Sequence, residues 1–545
     1  MYVSKYPMNP AWRPIEKAFR KSLRKVFALG VAIALLCFPI AGIGYIDEGG
    51  IDKSFGTDGI VTTNKNGLVS GQAMRIQKDD KIVVGGYHRA AISGLTNFAM
   101  ARYNTDGALD TDFGNKGTVT TESLGQSLAN ALAIQSDGKI LLGGWSQRGI
   151  DTIVDFDFAL ARYNSDGTLD QSFGDGGKTT TDFSGVDVAQ AMAIQSDGKI
   201  VLAGRALGSG QGFDFAVARY NLNGSLDMTF GAGGKVQTDF NAQDDRANAI
   251  SIQRDGKIVV AGAASQKTFA LVRYDRNGGL DQAFGDHGKV STAFEGQTAE
   301  AAGLVLLNFD ETILVAGTAG TQTDRSFALV EYKSDGTLDT SFGENGRVVT
   351  GFPGTVWDMR IGAYAYSIAV QKNRKIVVGG FVQPIPPPML PVYFPRDIAL
   401  VRYNSNGTLD AGFGSGGKLS SDFQGGDEGA SAIAIQPDGN ILVAGTRNYN
   451  AFAVARYLGD PVPVPTIVSV SVKKKDLIIS GENFDPNARV YVNGQQQLVT
   501  TKGNPPRKLI ALRASRLVAS GETAIVVVEN SDGTLSKEFL FSRSE

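Results

Sequence analysis

The 545-residue chain has one cysteine, two histidines and three tryptophans. Cys37 lies inside the apolar run Val26 to Ile40, and Leu36 before it is not the small residue that a lipoprotein site needs. Once that segment is removed, neither a disulfide nor a thiol nucleophile is possible. His88 and His287 are the only histidines, and no Gly-x-Ser-x-Gly or His-x-x-x-His spacing occurs. Charge of one sign is also missing: 53 Lys and Arg face 55 Asp and Glu, a net charge of -2. Without residues 1–44, which carry seven basic residues and one acidic, the charge becomes -8. A mildly acidic, evenly patterned surface argues against a nucleic-acid partner, because neutralising phosphates needs a basic face.

Glycine, by contrast, is abundant. Its 68 residues are nearly twice the usual share of about 7%. Many belong to a repeated phrase, seen clearly in Phe158 to Phe183. The marker Leu-Asp-x-x-Phe-Gly starts at Ile51 (Ile for Leu), Leu109, Leu169, Leu226, Leu280, Leu338 and Leu409, with spacings of 58, 60, 57, 54, 58 and 71 residues. Such a period means a solenoid, a propeller or an array. Each unit holds four short strand-like runs. In one unit these are Ala191 to Gln195, Lys199 to Gly204, Phe215 to Tyr220 and Lys235 to Phe240, the first two joined by the turn Ser196 to Gly198. In Phe158 to Tyr163, Phe158, Leu160 and Arg162 face one way, while Ala159, Ala161 and Tyr163 face the other. Lys199 to Gly204 is apolar almost throughout, as in a strand covered on both faces. Sheets stacked around an axis satisfy both patterns.

The chain enters the repeats at Ile51 with only a marker and one strand, and leaves at Tyr457 after a third strand. The expected fold is all-β: a seven-bladed β-propeller over 51–458, with an N-terminal strand near Gly59 to Thr63 closing the last blade. The phrases AIQSDGKIVLAG, FALARYNSDGTLDQSFG and GKTTTDF resemble the bacterial delta-sixty repeat, itself similar to the NHL type. The resemblance covers roughly Ile51 to Tyr457; it implies a propeller but no reaction. Two units depart from it. The fifth has Asp310-Glu311-Thr312 for Asp-Gly-Lys and Glu331 for the repeated Arg, and the sixth has Asn373-Arg374 and a long insertion.

Residues 1–44 read as a secretory signal peptide or an uncleaved N-terminal anchor, so the protein is expected to be exported: secreted, periplasmic or at the cell surface. Pro461, Pro463 and Pro465 mark a stiff linker, 459–465. Over 466–545, LIISGENFDPNARVYVNG and VVVENSDGTLS resemble the IPT/TIG immunoglobulin-like type, implying a small β-sandwich that serves as spacer or interaction module.

Positions alike in every unit are explained by folding. The marker aspartates are expected to hold turns, and Arg102, Arg162, Arg219, Arg273, Arg402 and Arg456 to pair with carboxylates between blades. Asn-Ser-Asp-Gly and Gln-Ser-Asp-Gly segments superficially look like calcium loops but offer too few carboxylates, so tight turns are the preferred reading; no cofactor or metal is expected, and calcium stays open without support. Loops between strands two and three, and from strand four to the next unit, vary and emerge on the same rim, which makes that face the candidate binding surface. It carries Tyr87, His88 and Arg89; Trp145, Asp155 and Asp157; Arg205 and Asp214; and Trp357, Asp358, Arg360, Tyr364 and Tyr366, followed by the insertion Phe381 to Arg396. These aromatic and carboxylate groups suit a glycan or a peptide or protein partner, the competing reading being that the aromatics only cover blade edges. The expectation is a monomeric, non-enzymatic binding or scaffold protein, with membrane contact only through an uncleaved leader. A glycan hydrolase using two carboxylates from Asp155, Asp157, Asp214 and Asp358, or a purely structural surface protein, are the alternatives.

Overall fold

The computed structural model describes residues 50–543 except 65–66, 123–124, 148–154, 209, 211, 241–242, 266, 308–310, 322–323, 353–354, 357–358, 386–393, 423–425, 461–464, 486, 504–505 and 531–535. The leader at 1–44, Trp357, Asp358 and most of the sixth-unit insertion therefore lie outside the described residues. Apart from one short 3-10 turn, Ala514–Leu517, the regular structure among the described residues is all strand. None of their helices is long and apolar enough to cross a membrane.

Between Ile60 and Tyr457 the strands form seven antiparallel sheets, six of four strands and one of five. Their first strands are Gly67–Ile76, Ser127–Ile134, Val188–Ile194, Arg246–Ile252, Thr298–Leu306, Met359–Val370 and Glu428–Ile435. These define sheets 1 to 7. Each first strand packs on the next, and the seventh packs back on the first, so the sheets follow one another round a closed cycle. The N-terminal strand Ile60–Asn64 is hydrogen-bonded to Ala451–Tyr457 as the outer strand of sheet 7.

Sheet-to-sheet burial explains the repeated pattern. Phe158 and Leu160 pack with Met192, Ile200 and Leu202 of the next sheet. Ala159, Ala161 and Tyr163 pack with Val83, Phe98 and Met100 of the previous one. Alanine on one face lets the sheets approach, and each fully buried Leu, Ile or Phe contributes about 1.5–3 kcal/mol. The seam between sheets 7 and 1 is built the same way, with Phe55, Val69 and Met74 against Leu442, Ala444 and Phe452. Buried tyrosines bridge the same interfaces: Tyr103 Oη donates to Thr63 Oγ1 at 2.8 Å, Tyr220 to Thr181 at 2.8 Å and Tyr332 to Thr292 at 2.7 Å. Burial pushes these phenols above their ordinary range, so they stay protonated.

The rim that holds the short turns is nearly identical from unit to unit. Arg219 Nε donates to Asp227 Oδ2 at 2.8 Å, and its Nη1 donates to the carbonyl of Arg276 in the next unit. The guanidinium lies 4.5 Å over the Phe230 ring, and Lys199 Nζ meets Asp227 at 2.8 Å. Here the structure corrects the sequence reading: the arginine's carboxylate belongs to its own unit, and the link between units runs to a backbone carbonyl. Marker aspartates do hold turns, as where Thr229 N and Oγ1 donate to Asp227 Oδ1 at 3.1 and 2.6 Å. The motif continues across the chain ends. Arg456 Nε donates to Asp52 Oδ2 at 2.7 Å, and Nη1 to Thr105 O at 2.9 Å. Asp460, assigned by composition to the linker, is held in sheet 6 by Lys375 at 2.6 Å and Arg402 at 3.0 Å.

Each first strand also contains a β-bulge, which sequence alternation did not reveal. The strand expected from Ala191 starts at Val188, because the extra residue Gln190 breaks the period of two. The bulge has a partner in the second strand. A Cβ on Gly204 would stand 2.0 Å from the carbonyl oxygen of Val188, and Gly86, Gly144, Gly262 and Gly317 are similarly placed. These glycines recur because the bulged backbone fills the space of a side chain.

From Thr466 to Ser542 two further four-stranded sheets pack about their own core, which includes Leu477, Val490, Leu509, Val526 and Phe541. Two short strands not expected from the sequence, Gln495–Gln497 and Val499–Gly503, complete them.

Candidate functional site

The bulges place seven side chains at the centre of the cycle. Gln72, Asn130, Gln190, Asn248, Ala302, Tyr366 and Ser431 are the extra residues of the seven first strands. All seven line one cavity of about 680 Å³. It lies towards the rim of the variable loops, because Ser70, Tyr87, Thr318, Phe381 and Thr446, near the start of first strands and the end of second strands, also line it.

The cavity has two unlike walls. Sheets 1 to 4 contribute carboxamides, each offering a donor and an acceptor. Asn130 Nδ2 is anchored to Ala189 O at 2.9 Å, Asn248 Nδ2 to Ala301 O at 2.8 Å, and Gln72 Nε2 to Ser70 Oγ at 2.7 Å. Their amide carbonyls are thereby oriented. Sheets 6 and 7 contribute an aromatic and cationic wall. Tyr364 stacks on Phe381 at 4.8 Å and 20°, and Tyr366 lies 5.6 Å from the same ring. Arg396 covers Phe381 at 4.9 Å and Tyr449 at 5.4 Å, and its fork is held by Asp427 at 2.9 and 2.7 Å. Tyr366 and Tyr449 remain 47% and 43% exposed, while Phe381 beneath them is 5% exposed. Burial lifts the Tyr364 phenol above its ordinary range, so it too acts as a neutral donor. Among the described lining residues Glu300 is the only carboxylate, receiving Asn248 Nδ2 at 3.0 Å.

Of the residues singled out from the sequence, the structure brings Tyr87, Tyr364 and Tyr366 to this cavity. Trp145 and Arg205 occupy the position of Tyr87 in sheets 2 and 3 but are engaged elsewhere, Trp145 packing at a tilt with its ring 4.3 Å from Phe156 and Arg205 lying 4.7 Å over Phe213. Arg360 is an exposed partner of Asp324 at 3.1 Å, and His88 sits half-buried near the end of its strand. Asp157 joins Asp182 and Asp187, whereas Asp214 joins Asp239 and Asp245. The two aspartates thus fall in separate groups, and Asp155 is coupled to the first of them through Asp187. Burial, then Asp182, Asp157 and Asp155, push the Asp187 carboxyl up to about 7. Burial and Asp239 likewise raise Asp214. The Asn-Ser-Asp-Gly segment at 164–167 is a turn, with Thr168 N and Oγ1 both donating to Asp166 Oδ1 at 2.9 and 2.7 Å.

Sequence reasoning missed the carboxamides. Their signal was present: each is the single polar residue in a phrase such as Ala129-Asn130-Ala131 or Ala189-Gln190-Ala191, at a position that differs from unit to unit.

A family model described as a domain of unknown function (DUF5122) beta-propeller matches residues 77–113, 135–173, 195–230, 253–284, 310–342, 395–413 and 436–460. The chain is a β-propeller repeat protein. Most matched segments run from the first turn of a unit through its second and third strands to its marker, and all of them leave the bulge residues outside. No curated protein matches the chain. Among solved structures, a fungal alcohol oxidase of the AA5 family in complex with copper is similar at 13% identity and a TM-score of 0.39, over 89% of this chain and 99% of that one. At that similarity nothing about copper or alcohol oxidation transfers to this propeller.

Proposed function

We propose that this protein is an exported, non-enzymatic recognition protein, a seven-bladed propeller whose central cavity binds a glycan. In this reading Ile60–Asn64 closes the seventh blade over 51–458, and 466–545 is an immunoglobulin-like sandwich joined by the linker 459–465. The supporting observation is the pairing of the two cavity walls. Oriented carboxamides match the alternating donors and acceptors of sugar hydroxyls, while half-exposed tyrosines offer flat apolar faces to a pyranose ring. A volume of about 680 Å³ suits a ligand of one to a few sugar units. The hydrolase alternative has less support, because a pair of catalytic carboxylates is missing from the described lining and Glu300 stands alone there. The charge of -8 without residues 1–44 and the basic, then apolar, N-terminal run support export.

The test is calorimetric titration of soluble oligosaccharides, chosen from a glycan array, into the wild-type protein, Asn130→Ala and Tyr366→Ala. Saturable binding weakened about tenfold or more by both substitutions is expected. Binding unaffected by either would exclude the cavity, and array signals for peptides alone would replace the glycan by a protein partner.

A further inference from the structure

Beyond the cavity, three groups of carboxylates sit where one sheet hands the chain to the next: Asp157, Asp182, Asp187; Asp214, Asp239, Asp245; and Asp397, Asp422, Glu428. In each group the ligand oxygens lie within 4.8 Å of one another. The members come from three places, the third strand, the end of the fourth, and the start of the next sheet's first strand. Strand register aligns these positions in all seven sheets through pairs such as Phe158↔Thr181 and Phe269↔Thr292. Three sheets are acidic at every position. The other four hold one acid, Glu122, among their equivalent positions; sheet 4, for example, has Thr268, Ala293 and Ala299.

The three groups differ in what neutralises them. Asp245 is fully used by backbone donors, Phe240 N at 2.6 Å and Ser265 N at 2.9 Å. Glu428 has Arg447 at 3.9 Å. In the first group Asp187 is completely enclosed, Phe183 N donates to its Oδ2, and its Oδ1 meets no donor. Asp155 Oδ1 is likewise buried without a donor. The nearby Lys235 ammonium is engaged by the Asp182 carbonyl at 2.8 Å. Asp157 and Asp182 thus stand around an enclosed oxygen of Asp187 that meets no donor, where a bound cation would offset the cost of burying negative charge.

We propose that Asp157, Asp182 and Asp187 form a calcium site that ties the variable rim of sheet 2 to the first strand of sheet 3. The donor set is all oxygen, which selects a hard cation over zinc or copper. Oxygens bound to one calcium at about 2.3–2.6 Å lie no more than about 5 Å apart, as these do. In a protein with no disulfide in the described region, the ion clips neighbouring sheets beside the cavity. The proposal does not depend on the glycan reading.

The experiment compares full-length wild-type protein with Asp187→Asn, Asp182→Asn and Asp245→Asn. It reads thermal unfolding in millimolar calcium against EDTA, and terbium emission excited through Trp145, whose neighbour Ser146 pairs with Asp157. Calcium should raise the wild-type melting temperature by about 3–5 °C and displace terbium. Asp187→Asn and Asp182→Asn should each abolish both effects, and Asp245→Asn should keep them. Should Asp187→Asn fail to fold, Asp182→Asn alone decides. No calcium effect on the wild type, or one that survives Asp187→Asn or Asp182→Asn, overturns the proposal.

Discussion

The two rims of the propeller are made from the same strands but to opposite ends. On the turn rim one device recurs, with Arg162, Arg219, Arg273, Arg402 and Arg456 each holding a marker aspartate at 2.6–2.8 Å and covering a phenylalanine. On the other rim the sheets differ: Tyr87, Trp145, Arg205, Ala263, Thr318 and Phe381 stand at one equivalent position in sheets 1 to 6, and only Thr446 in sheet 7 repeats a residue type. Repetition marks what every sheet needs in order to pack. Difference marks what only the assembled ring can use.

Substitutions on the uniform side should cost stability, and those on the variable side should cost binding. The largest effect is expected from deleting 51–64, which removes the closing strand, the fully buried Phe55 and the Asp52–Arg456 pair. About 5 kcal/mol or more should be lost in denaturant unfolding; unchanged stability would mean the cycle is not closed by this strand. Next, Arg219→Ala should cost about 3 kcal/mol, since it strips a partner from buried Asp227 and a donor from the Arg276 carbonyl. A loss equal to that of an exposed arginine such as Arg360 would break the contrast between the rims.

Gly204→Ala tests the device linking the rims. Its Cβ would collide with the Val188 carbonyl at 2.0 Å and press out the bulge that aims Gln190, at a cost of about 2–3 kcal/mol and weakened cavity binding. Full binding with normal stability would show that the bulge is dispensable.

Asp187 gives a pH signature in EDTA. Its carboxyl titrates at about 7 in the fold, against about 4 when unfolded, so its contribution is fully present below pH 4 and is lost as pH rises to 7. Wild-type stability relative to Asp187→Asn should fall by about 2–3 kcal/mol across that window; a constant difference would remove the buried carboxyl from the account. The smallest stability effect, below about 0.5 kcal/mol, is expected for Tyr366→Ala, which is 47% exposed and should act on ligand affinity alone.

The strand pattern, the antiparallel order and the pairing of Ile60–Asn64 with Ala451–Tyr457 were all legible in the sequence. Alternation and turn residues act over a few neighbours, so Phe158 and Ala159 declare their faces wherever the unit sits. The marker's turn role was legible for the same local reason. The partner of each arginine was not, because Arg219 reaches a carbonyl fixed by how the next unit docks. Tyr364 and Tyr366 were found because they are large and sit in a departing unit. Asn130, Gln190 and Asn248 were passed over because strict alternation gives no sign that a bulge turns them inward.

The sequence alone determined that the chain would fold as repeated four-stranded units, since burial of each unit's faces is written in its own residues. Only the tertiary structure decided which residues meet. The cavity takes one bulge residue from each of seven strands, and the Asp187 group takes carboxylates from two sheets. Contacts between residues tens of positions apart depend on ring closure and bulge geometry, which no local pattern encodes.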